Sequence, residues 1–462
     1  MPDNGRPAWW NTLRVVLSLT SLVGCRTHIL WPATEAKNPR AKNQTRFLGG
    51  NMTEILERTE TNDDTTMVTG AFTTTRAELV DALATVGTAI ANRPITPCMA
   101  GVLLESDGTD LLVRGYDYDT TVTVRIPDAV ETAIRVLVRH YELSKLLTAL
   151  TKGLGKREAD LLPVTVRNED NQCATVELAD SAIPMELLPV DEYPNLPNTS
   201  QTFALVDGEK FTTETKRVLR AVGRDGDLPA LTGMKIDVTG NDLTLAATDR
   251  YRLAVGHVHA ARLSGTVPDS GVLIDGMALR KVLPKLRAED IRLGYEAGDF
   301  GDLVTLESGP VTVITRLHNG GEFVKYRDHL PTDSEVTVLV DRAELLTQTQ
   351  RAAAVLSAKG EKAQPVTLTV DTDTVSVTPY LGDEAPKART RAMPATVTGN
   401  GAGMVLALDY RFFTDAVDSF TGDTLALHIQ GPHKPVLLTD TPDGLRDRTE
   451  FRHLVMPKRL VN

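Results

Sequence analysis

The sequence predicts an α+β fold built from three copies of one unit, each with two helices packed on antiparallel sheet. Three observations carry this: helical apolar patterns recur at a near-constant interval, alternating β-rich runs fill the spaces between them, and hairpin-type turn residues punctuate those runs.

The first helical pattern, apolar at i, i+4, i+7 and i+11, falls on Leu79, Leu83, Val86 and Ile90. It returns at Phe211, Thr215, Val218 and Val222, then at Leu345, Thr349, Ala352 and Leu356, displaced by 132 and 134 residues. A second pattern at i, i+3, i+4 and i+7 falls on Leu143, Leu146, Leu147 and Leu150. It returns at Leu279, Val282, Leu283 and Leu286, then at Phe413, Ala416, Val417 and Phe420. Each pattern marks one face of a helix. Even the letters Arg-Ala-Glu-Leu repeat, at 76 and at 342.

Between the helices lie the runs 111–127, 162–179, 302–317 and 366–380, rich in Val, Thr and Leu and broken by Asp-Gly, Asn-Asp and Ser-Gly-Pro turns. Such turns favour hairpins and therefore antiparallel pairing, about eight short strands per copy. Pro-containing seams at 189–200 and 323–333 separate the copies, which places domains at 70–199, 200–331 and 332–462.

A chain of 462 residues accommodates roughly three domains of ~150 residues each. With 41% hydrophobic and 24% charged residues and no long apolar span, it has the composition of a soluble globular protein. Cys25, Cys98 and Cys173 have no metal-ligand spacing and form no evident disulfide frame, so a reducing cytoplasm is expected. Residues 1–69 stand apart. They hold all three tryptophans, Trp9, Trp10 and Trp31, and residues 1–50 carry seven Lys/Arg against two acids. The run 13–25, ending Leu-Val-Gly-Cys, has the look of a bacterial lipoprotein signal. The favoured expectation is an upstream start codon or a disordered extension, with Met52 and Met67 as plausible true starts.

The net charge of −11 argues, taken alone, against nucleic acid. The helix faces tell a different story. Lys216, Arg217, Arg220 and Arg224 fall opposite the Phe211 and Val218 face at 100° per residue, and Lys281 and Lys285 fall opposite Leu279. Gathered on one surface, they would neutralise phosphates without reading bases, giving sequence-independent, salt-sensitive DNA binding. A solvated face is the bland alternative.

Catalytic and metal signatures are weak. His257 and His259 share a strand face without Cys or acid partners at zinc spacing. The glycines of 399–403 precede a strand-like run and read as a turn, not a phosphate loop. Asp249, set between Thr248 and Arg250 with Arg252 nearby, reads as a salt-bridged turn and not as a general base.

Four stretches carry a family resemblance. Residues 223–255, 91–106, Asp-Glu-Tyr-Pro-Asn-Leu-Pro at 191–197 and the tail His-Leu-Val-Met-Pro-Lys-Arg-Leu at 453–460 resemble the bacterial DNA polymerase III β subunit, the sliding-clamp family, in its actinobacterial form. The resemblance runs from about 70 to 462 and includes the triple repeat. It implies a DNA clamp fold, in which a head-to-tail homodimer closes a ring of six domains around duplex DNA, with helices lining the hole. It also implies a non-catalytic, cofactor-free, cytoplasmic processivity factor that tethers the polymerase III α subunit, the clamp loader δ subunit and other clamp-motif proteins. Arg93 and Arg224 match family positions facing DNA. The implied partner-peptide groove takes Leu231, Thr248, Arg250, Tyr251, Arg252 and Leu253 from the middle domain. Val324 comes from the following seam, and Met456, Pro457, Arg459 and Leu460 from the tail. Lys458, His329 and Val324 depart from the family's usual residues, and Val461 and Asn462 extend past its usual terminal leucine. The alternative reading is an accessory or mobile-element clamp copy with an altered partner groove. An exported lipoprotein is a remoter one.

Overall fold

The computed structural model describes residues 70–460, apart from positions 92, 169, 171, 225, 227, 263–264, 299–300, 319–320, 362–363 and 448. The lipoprotein-like run, Met52 and Met67 therefore lie outside the described residues.

The repeated apolar patterns become three helix pairs. In the first repeat α1 spans Arg76–Val86 and α2 His140–Ala149, with a short α3 at Lys156–Asp160. The second contributes α4, Gly208–Val218, and α5, Gly276–Val282, and the third α6, Arg342–Ala358, and α7, Tyr410–Val417. The leading helix of each pair starts the same way. Thr75, Asp207 and Asp341 each accept the backbone N–H three residues on, and Glu78 completes a capping box. The apolar faces go inward: Leu79, Phe211, Leu345 and Phe413 are fully buried.

The helical patterns outrun the helices in places. α1 ends before a 3-10 turn at Gly87–Ala89, leaving Ile90 in extended backbone, and α4 ends likewise before Val222. α5 stops after Val282 because Pro284 has no N–H to donate, so Leu283 sits in a 3-10 turn and Leu286 follows it. Only α6, with its Ala-rich centre, carries its whole pattern through to Leu356.

The β-rich runs form antiparallel hairpins: Asp110–Tyr116 with Thr120–Ile126, Pro163–Asn168 with Cys173–Leu178, Leu303–Ser308 with Val311–Arg316, and Val366–Val370 with Thr374–Pro379. Sheet pairing also crosses the junctions between repeats. Val311–Thr315 of the second repeat pairs with Val124–Thr120 of the first, and Arg252–Val255 pairs with Val455–Arg452 of the third. The corresponding strand of the first and second units thus meets the next unit, and edges that would otherwise be open are closed by backbone hydrogen bonds.

Candidate functional site

One turn organises the site. Strands Asp242–Thr248 and Arg252–Arg262 run antiparallel with Thr248 opposite Leu253. The Asp249 carboxylate closes the turn: Oδ1 accepts the N–H groups of Tyr251 and Arg252, each at 3.0 Å, and Oδ2 accepts Arg252 Nε at 2.9 Å. Thr248 Oγ1 accepts the Arg250 N–H at 3.2 Å and donates to the Arg252 carbonyl at 2.6 Å. Arg250 is held at φ 78°, a left-handed conformation that disfavours side chains. Asp249 is therefore committed to shaping backbone, an Asx-type turn and not a base.

The first repeat makes the same turn. Asp117 Oδ1 accepts from the N–H groups of Asp119 and Thr120 at 3.2 and 2.8 Å, and Tyr118 has φ 77°. The surroundings differ. Tyr116, at the position equivalent to Thr248, packs with Met99, Leu103 and Tyr193 in an apolar cluster. Beside Thr248, a smaller side chain, there is instead a cavity of about 330 Å³.

The ladder pair Leu253 and Leu454, each 4% exposed, lines this cavity together with Leu231, Pro435, Val324 and Met456. Val324 and Met456 are 38% exposed, so apolar wall is open to solvent. Thr248, Arg250, Arg252 and His329 add the polar groups. An apolar concavity with a few convergent polar groups suits a partner's Leu or Phe side chain, its backbone held from the rim.

A second chamber of about 520 Å³ shares Leu231, Arg250 and Arg252 with the first and adds Tyr251 and Phe412. The Tyr251 and Phe412 rings stack with centroids 5.6 Å apart and 13° between planes. The Arg252 guanidinium lies 4.9 Å from the Phe412 centroid and reaches Asp415 Oδ2 at 2.5 Å. The tail is stitched alongside: the Met456 N–H donates to the Tyr251 carbonyl at 2.8 Å and the Lys458 N–H to the Ala407 carbonyl at 2.7 Å. Lys458 Nζ stands 3.2 Å from Asp409 Oδ2, so a cation at this unusual position meets a carboxylate. Burial alone would raise the Asp409 carboxyl, but hydrogen bonds from Arg411 and the Lys458 charge together hold it below the usual range.

Of the expected groove residues, Leu231, Thr248, Arg250, Arg252, Leu253, Val324 and Met456 line the first cavity. Tyr251 lines only the adjoining chamber, while Pro457, Arg459 and Leu460 line neither, and Arg459 and Leu460 are exposed. Leu454, Pro435, Phe412 and Asp415 were not expected. Leu454 had a signal, since it lies two residues before Met456 on the tail's strand. The other three come from distant segments and had none.

The cations separate into two groups. Arg93, Lys216, Arg224 and Lys281 are exposed, Lys285 is half-buried, and none enters an ion pair among the described residues. Arg217 corrects the helical-wheel expectation, its side chain being only 12% exposed at the junction with the third repeat. It bonds Glu214 at 2.9 Å, Asp440 at 3.1 Å and the Ser419 carbonyl at 2.8 Å, and lies 3.8 Å from the Phe451 centroid. Arg220 likewise turns to Asp418 at 2.6 Å. A helical wheel gives an angle but not what stands at that angle, and here it is another repeat.

His257 Nδ1 lies 3.4 Å from the Thr244 hydroxyl, and His259 Nδ1 lies 3.0 Å from Asp242 on the surface. Among the described residues no group of three His, Cys, Asp or Glu could hold a metal, and no helix is long and apolar enough to cross a membrane. The 399–403 glycines join strands Met393–Gly399 and Met404–Leu408, with Gly399 and Gly403 at positive φ.

Three family models match the chain: the N-terminal domain of the DNA polymerase III beta subunit over 71–197, its central domain over 205–321 and its C-terminal domain over 327–459. The beta sliding clamp of Streptomyces coelicolor is 28% identical over 389 residues, covering 83% of this chain and 98% of that one. The beta sliding clamp of Micrococcus luteus is 30% identical over 287 residues, 62% of this chain and 87% of its own. The crystal structure of the DNA polymerase sliding clamp from Bacillus subtilis superposes with a TM-score of 0.71 at 20% identity, covering 85% of this chain and all of that one.

Proposed function

This chain belongs to the DNA polymerase III beta-subunit family of sliding clamps, and we propose from that premise that it encircles duplex DNA and tethers the replicative polymerase. It contributes processivity and no catalysis of its own. A ring need not bind tightly to stay threaded, so weak phosphate contacts from Arg93, Arg224, Lys216 and Lys281 suffice. Two copies joined head to tail would continue between molecules the strand pairing that already joins the repeats within one. Its place of work is the cytoplasm, where the DNA is.

The observation that carries this reading is the 330 Å³ apolar cavity, built jointly by the Thr248–Leu253 turn, Val324 and Met456 of the tail. It is the receptor for short linear peptides of the polymerase α subunit, the loader δ subunit and other clamp-motif proteins. Fluorescence polarisation of a labelled Gln-Leu-x-Leu-Phe peptide tests it, comparing the whole chain with one lacking 456–462. Saturable binding lost with the tail supports the groove. Absence of binding to the folded whole chain would remove the polymerase-tethering role.

A further inference from the structure

Next to the apolar groove, the same sheet face carries a chamber of opposite character. Past Leu253 the strand continues to Val255, which faces Arg452 across the ladder, and then to His257. These three, with Arg327, Leu330 and Arg446, border a cavity of about 350 Å³ whose lining includes no carboxylate. Arg452 is buried and donates to the Asp447 carbonyl at 2.8 Å. Arg327 pairs with Asp237 at 3.0 Å, and Asp237 also accepts the Tyr326 hydroxyl at 2.7 Å. The Asp447 carboxylate accepts the hydroxyl and N–H of Thr449 at 2.7 and 2.8 Å. Arg446 is exposed and its side chain enters no ion pair among the described residues. Burial and the charge of Arg452 push the His257 ring down to about 4, so it remains neutral beside the guanidiniums and adds no repulsion among them. Three guanidiniums border the chamber, while the carboxylates of Asp237, on Arg327, and Asp447, acting on Arg452 and His257, stand outside its lining.

The two sites are neighbours by construction. Consecutive residues divide between them, His329 lining the groove and Leu330 the chamber. At ~3.4 Å per residue, the four steps from Leu253 to His257 span about 14 Å. An extended peptide anchored in the groove covers that in roughly four residues. Groove and chamber can therefore be filled by one short segment.

We propose that the chamber bounded by Arg327, Arg446 and Arg452 is a second subsite for groove-bound partners, taking the carboxylate of an acidic residue about three or four positions from the apolar anchor. The inference rests on the groove reading above and adds a selection rule: partners with an acidic flank bind in preference to those without. Planar guanidiniums suit a carboxylate, and charge-assisted hydrogen bonds in a half-buried pocket are stronger than neutral ones.

The test titrates the whole chain against labelled Gln-Leu-Ser-Leu-Phe peptides extended before or after the core by Gly-Glu-Glu-Glu or by Gly-Gln-Gln-Gln. One Glu-flanked peptide is expected to bind about five- to tenfold tighter than its Gln counterpart at low salt, the gap narrowing at about 0.5 M salt. Arg446→Gln, an exposed change outside the groove, should abolish that advantage and leave the Gln-flanked peptides within about twofold of their original affinity. Equal affinity of Glu- and Gln-flanked peptides, or an advantage that survives Arg446→Gln, would overturn this inference alone. Failure of every peptide to bind the folded chain would overturn the groove reading, and this one with it.

Discussion

Arg252 Nη1 and Asp415 Oδ2 meet at 2.5 Å across 163 residues of sequence, joining the turn beneath the groove to helix α7 of the third repeat. Arg252 also holds Asp249, and its guanidinium lies by Phe412. Removing it leaves Asp249 without its cation in a half-buried place. Arg252→Ala should therefore cost on the order of 2–3 kcal/mol in urea unfolding, below the range for fully buried pairs because Asp415 is partly solvated. Asp415→Asn should cost about 1 kcal/mol. An Arg252→Ala chain as stable as the original would mean that the turn is held by its backbone alone.

Arg250 occupies φ 78°, where a glycine has no Cβ to clash. Arg250→Gly should stabilise the chain by about 0.5 kcal/mol, the relief of strain exceeding the added freedom of the unfolded chain, whereas Arg250→Val should destabilise it by more than about 1 kcal/mol. Thermal melts of the two variants decide the sign. A Gly variant less stable than the original would show that the guanidinium itself contributes more than the backbone strain removes.

The two groups of cations should behave differently toward DNA. Lys216→Gln and Arg224→Gln should each reduce the slope of log affinity against log salt on a short duplex by about one, without changing stability. Arg217→Gln should leave that slope unchanged and lower unfolding stability by about 2 kcal/mol or more, since it leaves Glu214 and Asp440 without their partner. The reverse pattern would return Arg217 to the DNA face.

His257 makes stability depend on pH. Its folded-state value of about 4 lies below the ordinary 6.5, so the unfolded chain takes up the proton first as pH falls. The contribution is complete above about pH 6.5 and is lost progressively toward pH 4, amounting to roughly 2 kcal/mol when discounted for the ring's partial exposure. His428 and His453 are also depressed by burial and act in the same direction, so the difference between the original chain and His257→Asn isolates the one ring. Parallel stability curves for the two chains from pH 4 to 7 would contradict this.

Much of the fold was legible because it depends on local periodicity. Leu79, Phe211 and Leu345 are buried as their spacing requires, and the hairpins fall where the turn residues are. Most of the cavity's lining was named through the family resemblance, whose motif places Thr248, Arg250, Arg252 and Leu253 close together and joins them to Met456 of a short tail.

What sequence alone determined was the repeated unit and its inward faces, since spacing and residue type act within a few residues along the chain, while the groove-bearing turn was named through the family resemblance. Tertiary structure decided which faces meet another repeat and which meet solvent. Arg217 and Arg224 fall on similar sides of a helical wheel, yet the first is enclosed by Phe451 and Asp440 and the second lies beyond the end of α4 and is exposed. It also decided that Tyr116, beside the turn at Asp117, packs into a cluster with Met99, Leu103 and Tyr193, while Thr248, at the same place beside Asp249, lines an apolar cavity. The reason is physical: whether a position is open depends on the volume and charge that distant segments bring to it, and those distances exist only in the folded chain.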